Sequence, residues 1–180
     1  MTRTARFALV IDVLVVSGRW KPAEKSKSIV RRAVAQAATR TSTKRAELAI
    51  VLTDDSGIRS LNRHWRGIDK ATNVLSFPAK NAPDHLGDVV LAFETIAREA
   101  RSERKPFAHH LAHLAVHGFL HLVGYDHEQS KDAVAMERTE REILREIAIP
   151  DPYREAVPKA RAAIHKIKRV DRAAKHRRHS

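Results

Sequence analysis

Between Pro106 and His127 the chain places histidines at positions 109, 110, 113, 117, 121 and 127, and no other stretch constrains the fold as tightly. Pro106 is suited to opening a helix, and the apolar residues interleaved with the histidines carry a helical pattern through Leu122 before a turn at Gly124. Residues four apart on a helix differ by about 40° in direction and about 6 Å in rise, so His117 and His121 project from one face toward a common point. A helix that ends at Gly124 lets the chain fold back and bring His127 in from another direction. The spacing HxxxHxxGxxH therefore predicts one metal ion per chain on His117, His121 and His127. A lone histidine on an apolar helix face is ordinarily a core residue, but three at this spacing, with a turn glycine between the second and third, rarely arise from packing. Three neutral imidazoles suit Zn2+, and nickel and copper are compatible with the same ligands. His113, one turn earlier and rotated, reads either as a residue supporting the ligands or touching substrate, or as a satisfied, partly buried side chain. His109 and His110 are expected to be solvated.

The same spacing occurs in metzincin peptidases, whose mechanism needs a Glu directly after the first histidine as general base. That position is Gly118 here, and Phe119, Leu120, Leu122 and Val123 supply no carboxylate in its place. Asp126 and Glu128, beyond the turn, are the nearest acids, so a metallopeptidase is a remote alternative.

The rest of the chain reads as alternating strands and helices. Phe7 to Val16, Leu48 to Thr53, Thr72 to Phe77 and Asp88 to Ala92 are predicted strands, the first covered on both faces and the last following a turn at Gly87. Helices are predicted after Pro22, from the acceptors Asp54 to Ser56 to a stop at Gly67, from Glu94 to about Arg101, from Pro106 to Leu122, and from Ser130 to about Ile147. The expected fold is a single α/β domain (α+β-like) over residues 1–153, a small mixed sheet of about four strands packed by about five helices. The metal site falls on a helix of the C-terminal half and the turn after it.

The 180 residues include no Cys, which removes thiolate sites and disulfides and fits a reducing compartment. Asp12 interrupts the apolar run after Arg3 and Arg6, and no small-residue cleavage site follows, so a cytoplasmic protein with no membrane span is expected. The formal net charge is +13, and residues 154–180 hold ten Lys or Arg against Glu155 and Asp171. Such a tail is either a solvated, flexible extension or a nucleic-acid arm. Arg161, Lys166, Lys168, Arg169, Arg172, Lys175, Arg177 and Arg178 are positioned to neutralise phosphates, and with no aromatic among them they would add general, salt-sensitive affinity for RNA.

His117-Gly118-Phe119-Leu120-His121-Leu122-Val123-Gly124-Tyr125-Asp126-His127 resembles the signature of the YbeY family of bacterial rRNA-maturation endoribonucleases. Arg66-Gly67, then Thr72-Asn73-Val74-Leu75-Ser76-Phe77-Pro78, then Leu86-Gly87-Asp88-Val89-Val90, are similar to further blocks of that family in the same order, and Asp151-Pro152-Tyr153 resembles its usual ending. The resemblance covers roughly Leu48 to Tyr153. It implies a zinc-dependent, single-strand-specific endoribonuclease acting in 16S rRNA 3′-end maturation and ribosome quality control, with an rRNA precursor and the small ribosomal subunit as partners. It also implies zinc on His117, His121 and His127, and puts the family's functionally important arginine at Arg66.

RNA cleavage needs charge stabilisation on a phosphorane-like transition state, which a metal ion and a guanidinium can supply. Arg66 has the planar fork suited to phosphate, although a surface arginine near a helix end has the same composition. Asp126 reads equally as a residue that orients an imidazole or accepts a proton, and as a turn residue satisfying local amides. Many family members carry Asp where this chain has Asn73, so no general-base role is assigned there. A functional alternative is a metal-stabilised RNA-binding or ribosome-assembly module with little catalysis.

Overall fold

Strand alternation and helix amphipathicity together divide the molecule into a sheet with two unequal faces. The computed structural model describes residues 9–43, 46–80, 84–126 and 130–154. The strands are β1 (Val10–Val15), β2 (Glu47–Thr53), β3 (Val74–Pro78) and β4 (His85–Ala92), and the helices are α1 (Ala23–Arg40), α2 (Asp55–Arg66), α3 (Phe93–Ser102), α4 (Phe107–Leu122) and α5 (Ser130–Glu146). The sheet order is β1-β2-β4-β3. β1, β2 and β4 run parallel, and β3 pairs antiparallel with β4. This is the small mixed sheet with five helices that the sequence predicts. Among the described residues no helix is long and apolar enough to cross a membrane.

On the inner face, Leu48, Ile50 and Leu52 of β2 and Val89 and Leu91 of β4 share one buried core with α1, α4 and α5, and α5 packs on α1 and α4. On the outer face, Leu75, Val90 and Ala92 pack beneath Ile58 of α2. Burying an aliphatic side chain of this size contributes about 1.5–3 kcal/mol, so the inner face supplies most of the stabilisation.

Two expectations are corrected. β1 is an edge strand covered on one face: Ile11, Val13 and Val15 turn toward the core, while Val10 is 44% and Leu14 53% exposed. Asp12 shares that open side, where its charge keeps water. Gly87 lies inside β4 and not at a turn before it. Its φ of 125° and the carbonyl of Phe77, which would lie 2.1 Å from an added Cβ, require glycine as β3 crosses close beside it.

α4 is the central helix, touching α1, α3, α5, β3 and β4. At Gly118 its backbone lies directly on the sheet: an added Cβ would stand 2.6 Å from Val89 Cγ1 and 3.2 Å from Val74 Cγ2. Ser76 Oγ of β3 donates to the Gly118 carbonyl at 2.9 Å, fixing the height of the helix above the strand. The absence of Glu at position 118 thus has a packing cause, since a carboxylate there would have to occupy the helix–sheet interface.

Candidate functional site

His117 and His121 are brought together as their spacing predicts. Their Nε2 atoms are 3.2 Å apart. His117 Nδ1 donates to Glu140 Oε1 at 2.7 Å, and His121 Nδ1 donates to the Tyr125 carbonyl at 2.9 Å. A carbonyl only accepts, and so does an ionised carboxylate, so both rings carry their proton on Nδ1 and present lone pairs at Nε2. Two acceptor lone pairs held this close repel unless a proton or a cation lies between them. Two nitrogens about 2.0–2.1 Å from a tetrahedral zinc stand about 3.3–3.4 Å apart, close to the separation observed, and bracing of the far ring nitrogen by a carboxylate or carbonyl is the usual support for a metal-binding imidazole. The donor pair therefore fits a divalent ion. His127 lies outside the described residues, and among those described no group of three or more His, Cys, Asp or Glu is arranged to hold a metal ion.

Glu140, on α5, is the functional residue that sequence reasoning missed. It is wholly buried, and it accepts from His113 Nε2 at 3.2 Å, from His117 Nδ1 and from the Tyr153 hydroxyl. Burial pushes its carboxyl up, but the hydrogen bonds from His113 and His117 outweigh that and hold it at about 2. Burial, followed by the bond to Glu140, raises the Tyr153 hydroxyl. Glu140 occupies the position in the apolar stripe Met136, Ile143, Leu144, Ile147 where a hydrophobic residue would be regular. That interruption was the available signal.

His113 is partly buried and shares Glu140 with His117. His110, expected to be solvated, is 4% exposed and bonds Glu99 Oε2 through Nε2 at 2.8 Å, a correction. Glu99 also accepts from Asn73 Nδ2 at 3.0 Å, and Asn73 Oδ1 accepts from the Val74 amide at 2.7 Å. Asn73 thus ties the start of β3 to α3. His109 is half-buried.

The histidine pair opens on a cavity of about 750 Å³ whose walls include Arg66, Asn73, Ser76 and Asp126. Arg66 is exposed at the last position of α2. The helix stops there because Gly67 takes a left-handed φ of 70°, with its N–H donating to the Arg63 carbonyl at 3.1 Å. Buried Asn62 holds the following loop by donating to the Lys70 carbonyl at 2.8 Å. Asp126 is exposed at the cavity wall. The tail residues Arg161, Lys166, Lys168, Arg169, Arg172, Lys175, Arg177 and Arg178 lie outside the described residues.

Fold and site together define an α/β domain with an imidazole pair, one ring braced by a carboxylate and the other by a backbone carbonyl, facing an open, arginine-flanked cleft. Residues 17–148 match the family model described as Endoribonuclease YbeY, and the chain belongs to that family. It is 55% identical over 152 residues to the Endoribonuclease YbeY of Rhodopseudomonas palustris (strain BisB18), covering 79% of this chain and 90% of the relative. It is 54% identical over 153 residues to that of Bradyrhizobium diazoefficiens, covering 79% and 84%. The solution structure of TM1509 from Thermotoga maritima has the same fold, with a TM-score of 0.53 at 22% identity over 81% of this chain and 99% of that one.

Proposed function

We propose that this chain is a zinc-dependent endoribonuclease that cuts single-stranded RNA in the maturation of small-subunit rRNA, with the ion on His117, His121 and His127 and phosphate on Arg66. The observation that carries this reading is the pair of Nε2 lone pairs 3.2 Å apart, each ring braced from behind, at the wall of an open cavity. A bound divalent ion would supply positive charge to the phosphate oxygens and favour a basic oxygen nucleophile.

The chain's own residues do the rest. Glu140 and the Tyr125 carbonyl keep both imidazoles in one tautomer and orientation, so no reorganisation is needed when charge develops. Arg66 offers two parallel donors to a phosphate across the cleft, which the single point charge of a lysine would not reproduce. Asp126 is the exposed carboxylate on the cavity wall suited to accept the proton lost by the attacking oxygen. The basic tail would add general affinity for RNA or the small ribosomal subunit, in a cytoplasmic setting.

The test is cleavage of a single-stranded RNA by the purified full chain, before and after chelation and after zinc is restored. Loss and recovery of cleavage are expected. Undiminished cleavage by metal-free protein would remove the zinc, and no cleavage by the zinc-loaded protein would remove the endonuclease.

A further inference from the structure

The two tryptophans of the chain are used in opposite ways. Trp20 is 1% exposed, donates from Nε1 to the Thr53 carbonyl at 2.7 Å, and meets Phe93 edge-on at 5.2 Å. That is a tryptophan serving the core. Trp65 is 65% exposed on the last turn of α2, immediately before Arg66. Keeping so large an apolar surface in water is costly, and although Trp65 touches Phe77 at its flank, Ile58 and Leu61 already seat α2 on the sheet.

Trp65 also stands where two hollows meet. It lines the histidine cavity with Arg66, His117 and His121, and it lines an adjoining groove on the outer sheet face with Leu61, Phe77 and Val90. Phe77 backs it at 6.1 Å between ring centroids, and His64 meets it edge-on at 4.9 Å. The indole is therefore supported from its flanks while much of its surface faces solvent.

We propose that Trp65 is a stacking platform for one unpaired nucleobase of the RNA strand being cut. This deepens the endoribonuclease reading and rests on it. An aromatic beside an arginine gives a flat apolar surface and a cation on neighbouring positions, and these match the base and the phosphate of one nucleotide unit. The surface accepts any base, because every base has a π-face, but only an unpaired base can leave its own stack to use it. Selection for single strands follows from that difference.

The test uses the full zinc-loaded chain, a short single-stranded RNA, its duplex, and copies of the single strand with one abasic position each. Because Trp20 is buried, quenching of intrinsic fluorescence reports Trp65, and it is expected with the single strand and not with the duplex. Trp65→Ala should weaken RNA affinity by about 5- to 100-fold and raise KM by a similar factor while leaving kcat close to wild type. Trp65→Phe should recover most of the affinity. Removing the stacked base should cost the wild type the same factor and cost Trp65→Ala nothing further, the non-additivity expected of direct partners. Unchanged affinity and KM in Trp65→Ala, or fully additive abasic penalties at every position, would overturn the platform. Failure of the wild type to cleave at all would instead overturn the endoribonuclease reading, while the quenching and affinity measurements still decide the role of Trp65.

Discussion

The cleft has two walls built on different physical principles. The helical wall, on α4, is anchored in the core: its half-buried imidazoles are braced from behind by Glu140 of α5 and the Tyr125 carbonyl, and its spacing from the sheet is fixed by Gly118. The wall formed by the end of α2 is exposed, and Arg66 and Trp65 stand on it beyond the packed core. On the proposed function, the side chains meant to hold an ion are thus anchored in the interior of the fold, and those meant to meet a long polyanion stand on its surface. Changes in the helical wall should cost stability and metal together, and changes at the α2 wall should cost RNA handling alone.

The sharpest way to break that contrast is Glu140→Ala. It strips His113, His117 and Tyr153 of a shared buried partner, so a loss on the order of 3–5 kcal/mol in chemical denaturation is expected, with metal affinity reduced about 10- to 100-fold. Glu140→Gln should keep more of the stability and still lose metal affinity, because an amide is a poorer acceptor for two imidazole N–H groups. On the other wall, Arg66→Ala should lower single-turnover RNA cleavage by about 10²–10³-fold while stability stays within about 0.5 kcal/mol of wild type. Arg66→Lys should also be impaired. Equal effects of Arg66→Ala on stability and on cleavage would erase the distinction between the walls.

Gly118→Ala sharpens the account of how the helical wall is placed. Its methyl group would press on Val89 and Ser76, so a loss of about 1–3 kcal/mol is expected, together with weaker metal retention as α4 lifts from the sheet. The smallest effect belongs to Asp54, the cap of α2, which accepts from the Gly57 amide at 2.9 Å. That bond, followed by one from Ser17, holds its carboxyl below the ordinary value. A carboxyl lowered on folding stabilises the fold above its unfolded-state value and loses that contribution as pH falls through its folded value. Asp54→Ala should therefore cost about 1 kcal/mol at neutral pH, and Asp54→Asn should keep the cap while flattening the acid side of a stability–pH curve.

The elements of the fold were legible where periodicity is strong. The histidine helix was expected from Pro106 to Leu122 and is found at Phe107–Leu122, and the stop at Gly67 is where the glycine suggested. The pairing of His117 with His121 followed from helical geometry alone. Glu140 did not, because it lies 23 residues from its partner on another helix, and only the packing of α5 against α4 brings them together. The same limitation hid His110, which is buried through Glu99 of α3. β1 was misread because a run rich in Val, Ile and Leu suits a strand covered on two faces as well as one at a sheet edge. Asp12, on the open face, marked the difference.

If the braced imidazole pair holds a metal ion, metal content per chain reads it out. Purified full-length protein should carry about one zinc, and His117→Ala, His121→Ala and His127→Ala should each lose most of it and unfold at lower temperature, whereas Arg66→Ala retains it. Full zinc content in all three histidine variants would contradict the account.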